Sequence, residues 1–219
     1  MQTTVLSFSN KHSVEATPKT PVQRRKSEAT REALLEAARI VIARDGYTNA
    51  RIVDIAREAG KSAGVFYSYF EDKTQLFSAL VDAFYEDVKR VTPTLQEYED
   101  NPTKAVKNSV DAFWHAYRHF HPEMVGLLES ALSDPALLEV WRNIRQRGIR
   151  RFTYRIKKQQ SLGKCIGMDP ELSATALQGM LEFTCFNWHS EKLDFPGKRI
   201  SDEKATNELY QIISRVLEL

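Results

Sequence analysis

The stretch that decides the fold reads Ile52-Val53-Asp54-Ile55-Ala56-Arg57-Glu58-Ala59-Gly60-Lys61-Ser62-Ala63-Gly64-Val65-Phe66-Tyr67. Ile52, Ile55, Ala56 and Ala59 recur at i, i+3, i+4 and i+7, the period of a helix with one apolar face. Ala56 is small enough for a second helix to cross closely. Gly60 accepts the positive φ that a tight inter-helix turn demands. Ser62 is placed to cap a second short helix over about 63–70. Ile55, Ala59, Phe66 and Phe70 then supply a miniature core. The reading is a helix-turn-helix.

Working outward, Leu34, Ala37, Ala38 and Val41 make the stripe of a preceding helix. It is expected to start at Ser27 or Thr30 and to end at Gly46. Asp72 and Gln75 form a capping-box-like start to a helix through Leu76, Leu80 and Phe84, which fades near Pro93. The acidic stretch from Gln96 to Pro102 reads as a loop. Helices follow at about 103–120, 122–132, 135–158, 170–190 and 202–218, punctuated by Pro122, Pro135, Pro170 and Pro196. Strand alternation is absent, so the fold class is all-α. Three segments are expected: a disordered basic arm at 1–26, a helix-turn-helix unit with its connecting helix at 27–92, and a helical body at 103–219.

The net charge is only +2, yet five basic residues and one acid lie between Lys19 and Arg31. A basic arm on a near-neutral body points to a polyanionic partner met at one end. Cys165 and Cys185 fit no zinc spacing, and no metal or cofactor is expected. No apolar run approaches a bilayer span of about 20 residues, and the N-terminus lacks a secretory pattern. The expectation is a cytoplasmic protein without membrane contact. Gly60-Lys61-Ser62 resembles the end of a phosphate-binding loop, but Ile55 stands where that loop needs glycine. His115 and His119 share a zinc-compatible i, i+4 spacing, and the interleaved aromatics favour structural histidines. No local set of nucleophile, base and acid is visible, so the chain is not read as an enzyme.

The run from Thr30 to about Leu80 resembles the DNA-binding domain of the TetR family of bacterial transcriptional regulators. The matching residues are Thr30-Arg31-Glu32, Gly46-Tyr47, Asp54-Ile55-Ala56, Ala59-Gly60, Phe66-Tyr67, Tyr69-Phe70 and Lys73. The resemblance implies a homodimer that grips a double-stranded, palindromic operator, and a variable C-terminal domain that takes a small-molecule effector. It places Tyr67 and Lys73 on backbone phosphate, with Tyr69 at the DNA surface. Ser62, Ala63, Gly64 and Ser68 fall in or beside the groove. Lys61 and Arg51 depart from the family pattern, and both are read as outward-facing DNA contacts. Between Ser62 and Phe70 there is no Arg, Lys, Asn or Gln to make bidentate base contacts. DNA shape and the basic arm are therefore expected to carry much of the specificity.

In the C-terminal body, Phe113, Trp114, Tyr117, Met124, Leu128, Trp141 and Phe183 are the expected effector pocket, suited to a small apolar or aromatic molecule. Leu177, Leu181 and Thr184 on one helix, with Leu209, Ile212, Ile213 and Val216 on the last, are the expected dimer interface. The whole reads as a repressor released from its operator by a ligand. A DNA-binding regulator without small-molecule input is the alternative, and an enzyme in the helical body a more distant one.

Overall fold

The computed structural model describes residues 20–190 and 194–219. Ten helices and no strand occur among them. They are α1 (Pro21–Asp45), α2 (Ile52–Glu58), α3 (Ala63–Tyr67), α4 (Lys73–Val91), α5 (Leu95–Asp100), α6 (Pro102–His119), α7 (His121–Ala131), α8 (Pro135–Ser161), α9 (Pro170–His189) and α10 (Asp202–Val216). None is long and apolar enough to cross a membrane.

Two local expectations are corrected. Residues 1–19 of the expected disordered arm lie outside the described residues, but residues 21–26 are helical. Thr20 and Gln23 form a capping box, with Thr20 Oγ1 accepting from the Gln23 amide and Gln23 Oε1 accepting from the Thr20 amide. Pro21 occupies the first helical position, where its missing N–H costs nothing. Helix α1 therefore starts about two turns before Ser27. Its first six residues are exposed, so Arg24, Arg25 and Lys26 stand on a solvated helical spur. The second correction is at 95–100, expected as loop and found as α5. Thr94 and Glu97 make another capping box there, and the helix turns Tyr98 into the core.

Helices α1, α2 and α3 enclose Leu34, Ala38, Val41, Ile55, Ala56 and Phe66, all essentially buried. Gly60, at φ +65, makes the turn between α2 and α3. The long helix α4 then crosses under this head and packs on α6, α7 and α8. At its first residue, Lys73 Nζ donates to the carbonyls of Tyr47 (2.8 Å), Ala50 (3.0 Å) and Thr48 (3.3 Å). The ammonium also lies 4.4 Å from the Tyr47 ring centroid. Burial pulls the Lys73 pKa down from its usual value. All three donors are spent on the α1–α2 loop, which is thereby tied to α4.

A second tie runs through α7. A Cβ at Gly126 would stand 2.7 Å from Tyr47 Cβ, so only glycine lets α7 approach the same loop this closely. Arg39 of α1 pairs with the buried Glu123 of α7 at 3.0 Å and lies over the Phe120 ring at 4.6 Å. Helices α8 and α9 form an antiparallel pair, brought close where Gly148 leaves room for Gln178. Helix α10 folds back onto α6.

The Lys73 clamp yields a test. Lys73→Met keeps the aliphatic stem but leaves three loop carbonyls without their charged donor. The expected loss is about 2 kcal/mol of folding stability, in the range for hydrogen bonds to charged groups. Chemical denaturation of the full chain reads it, and an unchanged unfolding midpoint would show that the clamp carries no load.

Candidate nucleic-acid interface and effector cavity

The exposed side of the head is built from α3 and the loop before it. Ser62 caps α3 by accepting from the Val65 amide at 3.4 Å. Ser68 Oγ donates to the Gly64 carbonyl at 3.1 Å. Both hydroxyls are thus engaged within the helix. Tyr67 is 58% exposed, its ring edge-on to the buried Phe66. Lys61 and Gly64 are exposed, and Ala63 and Tyr69 are half-buried beside them. Gly64 leaves the surface flat at the centre of α3.

Two expected contacts take different places. Arg51 is exposed, but its Nε bonds Asp54 Oδ2 at 2.6 Å, while Arg57 Nη2 bonds Asp54 Oδ1 at 2.5 Å. The hydrogen bond from Arg51 holds the Asp54 carboxyl below its ordinary pKa. Arg51 is thus part of an ion-pair bracket at the start of α2. Lys73 is half-buried, and its ammonium is bonded to the carbonyls of the α1–α2 loop instead of standing out from the head. The sequence pattern matched the position but not the direction of the side chain. Exposed cations on the described surface of the head include Arg24, Arg25 and Lys26 on the α1 spur and Lys61 at the turn, beside the ion-paired Arg44, Arg51 and Arg57. Arg31, also exposed, lies over the Phe70 ring at 5.5 Å.

In the body, a cavity opens between α4, α6, α8 and α9. Its apolar wall includes Phe84, Tyr85 and Val88 of α4, Val110 and Phe113 of α6, and Phe152 of α8. Arg147, Arg151 and Arg155 of α8, with Gln178 of α9, supply the polar side. The free volume is about 60 Å³, well short of the ~300–1,000 Å³ usual for ligand sites. A bound molecule would have to move a wall.

Of the expected pocket residues, Phe113 lines this cavity and the others do not. Tyr117 and Met124 are buried in the core, where Tyr117 meets Phe84 and Phe113 edge-on or tilted at about 6 Å. Desolvation drives the Tyr117 pKa far up. Trp114 packs on His189 and donates from Nε1 to Asp202 at 3.0 Å, facing a different cleft with Arg118 and Arg199. Leu128 is half-buried on α7. Trp141 is half-buried with the Arg145 guanidinium 5.6 Å away. Phe183 is 57% exposed on the outer face of α9. Aromatic bulk marked the core, as burial tendencies favour. The arginines and α4 were missed, although arginine at i, i+4 and i+8 on α8 is visible in the sequence.

The expected dimer residues also divide. Leu209 and Ile213 are buried against α6 of the same chain, and Leu177 and Leu181 face inward. Thr184, Ile212 and Val216 are half-buried. The outer apolar stripe of α9 runs through Leu172, Ala176 and Phe183, which are exposed, with Gly179 and Met180 half-buried between them; Leu172 is 73% exposed. Because α9 is apolar almost all round, sequence period alone could not say which stripe turns in.

Comparison with known proteins places this architecture. Residues 34–80 match the model of the bacterial regulatory proteins, tetR family. The chain is 30% identical over 112 residues to the HTH-type transcriptional repressor NicS of Pseudomonas putida, covering 51% of this chain and 52% of that protein. It spans about half of NicS. Against the HTH-type transcriptional regulator EthR of Mycolicibacterium smegmatis it is 26% identical over 175 residues, covering 77% of this chain and 79% of that one. A TetR-family regulator structure from Rhodococcus sp. superimposes with a TM-score of 0.69 at 22% identity, covering 87% of this chain and 99% of that one. One from Syntrophomonas wolfei gives 0.71 at 15% identity, covering 88% and 96%. The helical head and its glycine turn coincide with the matched stretch: residues 34–80 carry the N-terminal domain of the bacterial regulatory proteins, tetR family, and the rest of the chain shares the fold of solved regulators of that family.

Proposed function

We propose that this chain is a DNA-binding transcriptional repressor that works as a homodimer and lets go of its operator when a small molecule enters the body. The observation that carries the reading is the position of α4. Its first residue clamps the loop that positions α2 and α3, and its middle, at Phe84, Tyr85 and Val88, is a wall of the cavity. A molecule too large for the cavity must push that wall, and α4 passes the displacement to the head. In a dimer, two α3 helices must reach successive major grooves, about 34–36 Å apart. A small tilt of α4 changes that spacing. By linkage, a ligand that weakens DNA binding is weakened by DNA to the same factor, about 5–150-fold in typical couplings. The names of NicS and EthR, a repressor and a regulator, support the same reading.

DNA contact would use Tyr67 on a phosphate, with Ser62, Ala63, Gly64, Ser68 and Tyr69 near the groove and Lys61 at its edge. The α1 spur would lie along the backbone. The dimer would form through the outer stripe of α9, from Leu172 to Phe183, where Gly179 permits close approach, with α8 beside it. An exposed apolar stripe of this kind marks an interaction surface.

Three outcomes are expected. Tyr67→Phe weakens binding to every duplex by about 1 kcal/mol, since a phosphate bond holds no base information. Arg24→Gln with Arg25→Gln makes the negative slope of log K against log salt shallower by about 0.9 for each phosphate that the spur no longer neutralises. Fluorescence anisotropy over a salt series reads both, and slopes equal to wild type would remove the spur from the interface. Phe183→Glu with Met180→Glu places charge in the proposed dimer face and should yield monomers in sedimentation, with operator binding abolished. An unchanged dimer would move the interface elsewhere. The regulatory step itself is tested by operator affinity with and without a cavity ligand. Equal affinity at saturation would refute release by that ligand.

A further inference from the structure

The cavity between α4 and α8 is apolar on one side and cationic on the other, and its cations are poorly matched by opposite charge. Arg147 faces Asp82 at 3.8 Å and lies over the Tyr85 ring. Arg155 is only 7% exposed and forms no ion pair with any described carboxylate. Its Nη2 donates to Ser109 Oγ at 2.6 Å, and its guanidinium sits 5.3 Å from the Tyr98 ring and 5.8 Å from that of Phe152. One hydroxyl and two ring faces leave most of the five guanidinium N–H donors without a strong acceptor. Burial lowers the Arg155 pKa to about 10, so the group stays charged at neutral pH. Tyr98 offsets part of that burial cost, while the like-signed Arg151, one turn away and also lining the cavity, adds to it. Ser109 Oγ in turn donates to the Ala105 carbonyl at 2.7 Å. No aspartate or glutamate is among the described residues lining the cavity.

A buried guanidinium without a counter-ion is costly, and a structural role in the core would be filled more cheaply by an apolar side chain of similar volume. A role in binding removes the difficulty, because an anionic ligand brings the missing charge and the acceptors. Arginine also offers the planar fork that receives a carboxylate by two parallel hydrogen bonds. The facing wall of Phe84, Val88, Val110 and Phe113 would cover an apolar body. We propose that the molecule this cavity takes is an amphipathic carboxylate, an aliphatic or aromatic body with its anionic end held between Arg151 and Arg155. The inference rests on the reading of the cavity as the effector site and narrows the effector from apolar to anionic.

The test uses the full chain and matched pairs of one body with two ends: octanoate against octanamide, and 4-phenylbutyrate against 4-phenylbutanamide. Isothermal titration at moderate salt is expected to show each acid binding at least about tenfold tighter than its amide, the lower bound for hydrogen bonds to a charged group. Arg155→Met, which keeps the volume and removes the charge, should abolish that preference and leave the amide no weaker. Arg151→Gln, at a half-buried site, should reduce it several-fold. Arg199→Gln, in the cleft beside Trp114, should leave it intact. Equal binding of acid and amide, a preference that survives both cavity variants, or binding by neither series would overturn the inference. Operator release separates the two readings. Acids that bind in an Arg155-dependent way without releasing DNA uphold the ligand class and refute the regulatory role. Amides that bind as well as the acids and release DNA uphold the regulatory role and refute the anion.

Discussion

The structure depends on α4 being one stiff rod gripped at its first residue and again near its middle. A 19-residue helix spans about 28 Å at 1.5 Å per residue. Its N-terminal lysine is held by three carbonyls that belong to another part of the chain. Half-way along, Phe84 is enclosed by Phe113, Tyr117 and Phe120 in edge-to-face contacts of 5.8–6.2 Å. Neither grip is soft. A desolvated ammonium loses heavily if it slides off its acceptors, and close-packed rings cannot shift without opening voids. On the proposed reading, a force at the cavity would therefore not be absorbed locally. The contact of Gly126 with Tyr47 of the same loop, and the Arg39–Glu123 pair between α1 and α7, would supply the fulcrum.

This division also explains what the sequence could show. The helix-turn-helix was legible because its constraints are local: Gly60 for a left-handed turn, Ala56 for a close crossing, Ser62 for a cap. Helices beginning at Pro102, Pro135 and Pro170 were legible for the same reason. The start of α1 was not, although Thr20 and Gln23 stood in plain capping-box spacing, because a proline-bearing polar stretch reads as a tail until the cap is recognised. Side-chain direction was the harder matter. Lys73 sits at a position compatible with phosphate or with the α1–α2 loop, and only the fold of that loop decides. The same holds for α9, where two apolar stripes compete and the one carrying Leu177 and Leu181 is turned in by α8. Seeking a pocket among the largest aromatics led into the core, since large apolar groups are buried wherever burial is available. A buried charge without a partner is the more informative signal, and it becomes visible only when the fold shows which charges are buried.

On the proposed reading, the poverty of α3 in base-reading side chains has a mechanical consequence. Ser62 and Ser68 hydroxyls are already engaged with their own helix, Arg51 is held by Asp54, and Lys73 is withdrawn beneath the head. Few side chains remain free to compensate when the head is misplaced. Affinity then rests on phosphate contacts and on the duplex matching the separation of two rigid heads. Such binding is sensitive to geometry, because a shift of one head breaks its backbone contacts together. A helix that converts a change of cavity volume into a change of spacing would therefore have most leverage on a reading surface of this kind. A surface rich in long, adaptable Arg and Gln side chains could follow the motion and keep its bases. The spare recognition helix and the stiff α4 suit each other: one makes binding depend on spacing, and the other lets the body set it.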